Sequence, residues 1–160
     1  MNTIAQLLAE KRRWAQQNAG LDRFEDLHTI DEKKTVLDAA ELMNDHRIGA
    51  LVVLDDEKQP VGIITERDIL RRVVAMGRPP SKTSVSKVMT TEMLYCLPDC
   101  TLEQARQLMM QRKIRHIPVI EGPGGAQQLL GMISIGDLNA AANEDLSIEV
   151  KSMREYITHG

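Results

Sequence analysis

The chain has 160 residues, 42% of them apolar and 27% charged, and a formal net charge of −3. That is enough apolar content for one packed domain or two small ones, while the mild acidity argues against a broad nucleic-acid surface. One Trp, one Phe and two Tyr are too few for a base-stacking platform, and no apolar run nears the roughly 20 residues of a membrane span.

Residues 3–17 read as an amphipathic helix capped by Thr3, with Ile4, Leu7, Leu8 and the Lys11 stem on one side and Trp14 continuing that face. Gln6, Glu10 and Lys11 interrupt any signal-peptide core, so a cytosolic (cytoplasmic) protein is expected. Gly20 supplies a C-cap signal. A short strand is expected from Glu25 to Ile30, then a charged turn to Lys34. Thr35 is an N-cap for a helix with Val36, Ala39, Ala40 and Met43 on one face, which Asn44-Asp45-His46 should break. Leu51 to Leu54 is a continuous apolar run and reads as a buried strand. A polar turn to Pro60, a return strand Val61–Thr65 and a helix from Asp68 to Met76 complete a β-α-β-β-α order.

Gly77-Arg78-Pro79-Pro80-Ser81 cannot continue that helix, because proline lacks the backbone donor and clashes with the preceding turn. Val85-Ser86-Lys87-Val88-Met89 then resembles Ile4-Ala5-Gln6-Leu7-Leu8 as a short lead-in, and the same order of elements follows from Met93 to Ala142. The glycine-rich stretch Glu121–Ala126 joins two strands and opens no helix, so a flexible hairpin is expected there, not a phosphate cradle. In the tail, Leu146, Val150, Met153 and Ile157 recur about once per turn and predict a C-terminal helix. Cys96 and Cys100 read as reduced thiols in or near a core, since no His or second Cys pair lies nearby at metal-ligand spacing.

The two halves are copies. Thr35 to Met43 matches Thr101 to Met109, and Ile48 to Val53 matches Ile114 to Val119, each 66 residues apart. Gly62-Ile63-Ile64-Thr65-Glu66-Arg67-Asp68 matches Gly131-Met132-Ile133-Ser134-Ile135-Gly136-Asp137 at 69 residues. The expected fold class is α/β (α+β). It has a helix and lead-in over 1–24, repeats over 25–76 and 85–142 with a linker over 77–84, and a helical tail over 143–160.

The repeated Gly-x-x-[Ser/Thr]-x-x-Asp motif admits two readings. Hydroxyl and acid at this spacing form a helix-capping pair. The same strand end and helix start also present a hydroxyl, a carboxylate and free backbone N–H groups together. An Asp there can accept from two vicinal hydroxyls, as on a ribose, while the helix N-terminus and nearby cations hold phosphate. Arg67, Lys113, Arg115 and His116 are the available cations.

The ordered set resembles a tandem pair of CBS domains, the Bateman module of cystathionine-β-synthase type. It comprises the lead-in, the helices after Thr35 and Thr101, Arg115-His116-Ile117-Pro118-Val119 and both Asp motifs, and covers roughly residues 25–142. The flanking helices are similar to those of small stand-alone bacterial CBS-pair proteins. The resemblance implies two pseudo-two-fold clefts for adenosine nucleotides, with Asp68 and Asp137 as ribose-binding acids and Thr65 and Ser134 as hydroxyl positions. It implies adenine contacts near Ile30, Gly49, Ala50, Ile117 and Pro118, and phosphate contacts from Arg67, Arg115 and His116. Gly136 stands where the first motif has Arg67, and Gly49-Ala50 where the second copy has Arg115-His116, so the Asp68 cleft is expected to be the occupied one.

The expected function is thus a non-catalytic sensor module with AMP, ADP, ATP or NAD as ligand, AMP or NAD foremost, and no catalytic cofactor or metal. Nucleophile elbow, Walker loop and paired catalytic carboxylates are all missing from the sequence. The expected partners are a second copy in a homodimer and a regulated protein, with neither nucleic acid nor membrane. The alternatives are a ligand-free interaction or dimerisation module and an S-adenosylmethionine binder, whose ligand would leave Arg67 and Arg115 without a phosphate.

Overall fold

The computed structural model describes residues 1–17, 29–122 and 127–158, with the side chains after 147 not described. Gly20, residues 25–28 of the first expected strand and the tip of the glycine-rich hairpin lie outside this set.

Each repeat is built on an antiparallel hairpin. β2 (Ala50–Leu54) pairs with β3 (Pro60–Thr65), and β4 (His116–Glu121) pairs with β5 (Gln128–Ser134). The registers match across the repeat: Ala50 faces Thr65 and His116 faces Ser134. The bulges match too, at Val53/Leu54 and Val119/Ile120. β1 (Thr29–Asp31) adds a parallel partner to β2, with Ile30 opposite Val53. In the second repeat the strand expected from Met93 onward shrinks to one bridge residue, Cys96, opposite Val119. Cys96 donates to the Pro118 carbonyl at 2.9 Å and accepts from the Ile120 N–H at 3.0 Å. Pro98 follows within two residues and has no N–H to extend the ladder.

Local chemistry sets the helix ends. α2 (Val36–His46) and α4 (Leu102–Arg112) both open on reciprocal capping boxes, Thr35 with Asp38 and Thr101 with Gln104. Both end on a left-handed residue, Arg47 and Lys113, each at φ 53°. The helix therefore runs through Asn44-Asp45-His46, and the break falls one residue later than expected. α3 (Glu66–Ile69) passes into a π-helical turn, Leu70–Val74, in place of a uniform α-helix to Met76. α5 (Ile135–Thr158) is a single helix of 24 residues. The helix expected to close the second repeat and the separate tail helix are one element, because Ala140-Ala141-Ala142 favours helix and no Gly or Pro interrupts it.

The lead-ins are exchanged between the repeats. α1 (Ile4–Gln17) buries Ile4, Leu7 and Leu8 in the second core, with Met109, Ile117, Val119, Ile133 and Leu138. Val85 and Val88, just ahead of the second repeat, lie in the first core with Val36, Met43, Leu51, Val53, Ile64 and Val73. The hydrogen bonds repeat as well. Ile4 N donates to Cys100 O at 2.9 Å as Val85 N donates to Lys34 O at 2.8 Å. Leu102 N donates to Asn2 O at 3.1 Å as Val36 N donates to Thr83 O at 2.8 Å. Full burial of an Ile or Leu side chain is worth about 1.5–3 kcal/mol, so each lead-in gives the opposite repeat a substantial share of its core. The exchange locks the two repeats face to face. No helix among the described residues is long and apolar enough to cross a membrane.

Candidate functional site

Both Asp motifs sit where a hairpin strand turns into a helix. Thr65 N and Thr65 Oγ1 donate to Asp68 Oδ2, each at 3.0 Å, and Asp68 N donates back to Thr65 Oγ1 at 3.2 Å. Ser134 N donates to Asp137 Oδ2 at 2.8 Å, and Asp137 N to Ser134 Oγ at 3.1 Å. The capping reading therefore holds at both places, and Asp is long enough for it. Capping engages Oδ2 of Asp68 and leaves Oδ1 to other donors. Thr90 Oγ1 donates to that oxygen at 3.2 Å, and Arg72 Nε lies 3.9 Å away. Each helix start is also pinned to the residue before the buried strand: Glu66 N donates to Gly49 O at 3.1 Å and Ile135 N to Arg115 O at 2.9 Å.

Thr65, Arg67 and Asp68 from the first repeat meet Arg115, His116 and Pro118 from the second across one cavity of about 360 Å³, with Gly49 at its wall. Pockets for small ligands begin near 300 Å³. Other expected contacts lie elsewhere. Ile30 and Ile117 belong to the two cores, and Ala50 is buried without lining this cavity. Strand alternation is the reason: Ile117 faces the core, so its neighbours His116 and Pro118 face the cleft. Ile63, Glu66, Thr90, Glu92, Leu94 and Ile114 also line the cavity and were missed from the sequence. Thr90 had a signal, since it directly follows the Val85–Met89 lead-in. Glu92 and Leu94 had none.

Charge in the cleft is mixed. Arg67 reaches across to the second repeat, its Nη1 donating to Lys113 O at 2.9 Å at the C-terminus of α4. Gly49 has no room for a side chain: a Cβ there would stand 2.7 Å from Glu66 Oε1 and 3.3 Å from His116 Cε1. Burial holds the His116 imidazole below its ordinary value, against the opposing pull of Glu66 and Asp137. At neutral pH His116 therefore donates or accepts a hydrogen bond without a charge. The expectation of His116 as a phosphate-binding cation is corrected on that ground, which leaves Arg67 and Arg115.

The second motif faces a different environment. Lys11 Nζ from α1 donates to Asp137 Oδ2 at 2.8 Å and to Met132 O at 3.0 Å, with the two side chains only 24% and 20% exposed. The Cys96 thiol is buried and its pKa is pushed up to about 11 by that burial and by the neighbouring Cys100, so it stays protonated and inert at neutral pH. Both cysteines are free. Among the described residues no group of three or more His, Cys, Asp or Glu is placed to hold a metal.

Comparison with known proteins agrees with this architecture. The CBS domain model matches residues 24–75 and again 85–144. The Bacillus subtilis CBS domain-containing protein YhcV is 38% identical over 133 residues, covering 82% of this chain and 91% of that protein. The mitochondrial CBS domain-containing protein CBSX3 of Arabidopsis thaliana is 40% identical over 130 residues, covering 79% of this chain and 61% of that longer relative. The solved structure of a candidate signal-transduction protein with CBS domains from Burkholderia ambifaria superposes with a TM-score of 0.74 at 35% identity. That match covers 89% of this chain and 95% of the other. Repeats related by a fixed offset, twin hairpins with matching bulges and paired Asp motifs all converge on one conclusion: the chain belongs to the CBS-domain family, as a tandem CBS pair.

Proposed function

We propose that this CBS pair is a non-catalytic regulatory module that binds an adenosine nucleotide in the Asp68 cleft. The observation that carries the reading is that a carboxylate from one repeat and a guanidinium from the other, Asp68 and Arg115, line a single cavity of about 360 Å³. Asp68 Oδ1, which the helix cap does not use, would accept from the ribose hydroxyls. Arg115 and the remaining donors of Arg67 would take phosphate oxygens. Ile63, Ile114 and Pro118 would supply apolar contact to adenine. The ligand class is AMP, ADP, ATP or NAD, with AMP or NAD foremost. Regulation then requires that the nucleotide bind two states of the module unequally. We further propose a homodimer as the acting form: Leu70, Val74, Met76 and Met110 are large apolar side chains left exposed on helical elements or their ends. A cytosolic location and a regulated protein partner belong to the same proposal.

The test is a thermal-shift screen of AMP, ADP, ATP, NAD, NADH, adenosine and S-adenosylmethionine, with GTP as control. Ligand at about 100 Kd adds about 2.7 kcal/mol to stability, enough to move the midpoint by several degrees. Shifts with the adenosine nucleotides alone are expected. A flat response to all of them would leave an interaction module with a structural Asp68.

A further inference from the structure

The two clefts arise from copies of one unit, yet their carboxylates meet different partners. The partners come from equivalent lead-ins: Lys11 lies seven residues after Ile4, and Glu92 seven residues after Val85. Beyond Met89 the chain leaves its lead-in without forming a helix, and its Thr90 hydroxyl reaches Asp68. Beyond Leu8 the chain continues as α1, because Ala9-Glu10-Lys11-Arg12 are all strong helix formers where the other lead-in has Thr90-Thr91. That continuation carries Lys11 to the Asp137 carboxylate and Arg12 to the Leu130 carbonyl, at 2.8 and 2.9 Å.

An ammonium on Asp137 uses the same acceptor that two vicinal ribose hydroxyls would need. It is also delivered intramolecularly. Ile4, Leu7 and Leu8 hold α1 in the second core at 8% exposure or less. A free nucleotide must therefore compete with a tethered donor at an effective concentration on the millimolar scale. Glu92 cannot act in this way in the first cleft, since a carboxylate offers Asp68 no donor.

We infer that α1 is a built-in occupant of the second cleft. The chain takes one nucleotide, beside Asp68, and the Asp137 site is latent until Lys11 withdraws. This inference rests on the nucleotide reading of the first cleft.

Calorimetric titration of the full chain with ATP and, separately, AMP tests it. The proteins compared are wild type, Lys11→Ala, Lys11→Met, Asp68→Ala and Lys11→Ala with Asp68→Ala, each checked for folding by circular dichroism. Lys11→Met keeps the packed stem should the alanine variant lose α1. One equivalent is expected for wild type, two for either Lys11 variant, none for Asp68→Ala and one for the double variant. One equivalent in wild type and still one in both Lys11 variants would overturn the inference while sparing the first-cleft reading. Two in wild type falling to one in the Lys11 variants would make Lys11 a ligand contact and would likewise overturn it. No binding in wild type with one equivalent in the Lys11 variants would sink the first-cleft reading and uphold the latch. No binding anywhere would sink both.

Discussion

Thr90 Oγ1 donates to Asp68 Oδ1 at 3.2 Å, so the lead-in of the second repeat touches the motif acid of the first. The same segment is held by Arg72, whose Nη1 donates to the carbonyls of Val88 and Met89 at 3.0 Å each. Asp68 thus serves as a helix cap through one oxygen and as a point of contact between repeats through the other.

Asp68→Ala is expected to weaken adenosine-nucleotide binding by about 1.5–3 kcal/mol, the scale of hydrogen bonds to a charged group. It also removes a cap, so its melting temperature should fall with it. Thr90→Val keeps the cap and serves as the control for stability. Calorimetric affinities that match wild type in Asp68→Ala would reduce the residue to its capping role.

Arg115 projects into the cleft from the residue before β4, while its backbone carbonyl pins the start of α5. Arg115→Ala should cost ATP, ADP and AMP about 1.5–3 kcal/mol each and leave adenosine within a few tenths, because only the phosphates need the guanidinium. Equal losses for adenosine and AMP in a side-by-side titration would rule out phosphate binding by Arg115.

The motif glycines permit close approach of the lead-ins, with unequal tolerance. A Cβ at Gly62 would stand 2.8 Å from the Thr90 carbonyl oxygen and 2.9 Å from Met89 Sδ. At Gly131 the only atoms met are those of the Leu8 side chain, the nearest at 2.7 Å. Backbone cannot move aside as a leucine terminus can. Gly62→Ala should cost about 1–3 kcal/mol as an overpacked site, and Gly131→Ala distinctly less. Urea midpoints in the reverse order would contradict this account of the exchanged lead-ins.

His116 sets a pH dependence of stability. Its folded pKa lies below the ordinary value of 6.5, chiefly because burial disfavours the imidazolium. Between the folded and unfolded values the unfolded chain binds more protons, so stability is full above about pH 6.5 and is lost as pH falls below it. Asp38 titrates in a separate window. Its carboxyl is held below the ordinary 3.8 by the Thr35 backbone N–H and hydroxyl, so that contribution disappears only at strongly acid pH. His116→Gln should flatten the urea midpoint between pH 5 and 7. A slope identical to wild type would assign it to other groups.

Much of the architecture was legible in the sequence, because the signals are local. Thr35 and Thr101 announce their helices through caps three residues long, and Leu51 to Leu54 announces a buried strand by its composition. The Asp motifs were legible as a pair because two weak patterns at matching offsets reinforce one another. The single bridge at Cys96 was not legible, since whether a ladder extends depends on the partner strand and on where Pro98 falls within it. Neither was the continuity of α5, because the domain pattern suggested a stop where the residues themselves supply none.

The sequence by itself determined two copies of one unit, their caps, their hairpins and the acids at their helix starts. All of these follow from patterns within about ten residues. Only the tertiary structure decided that each lead-in enters the opposite core, that Asp68 opens on a cavity shared with Arg115, and that Asp137 meets Lys11. Lys11 and Asp137 lie 126 residues apart. No local pattern encodes such a pairing: the apolar stripe of α1 fixes which side of the helix is buried, and the shape of the second core fixes where its lysine lands.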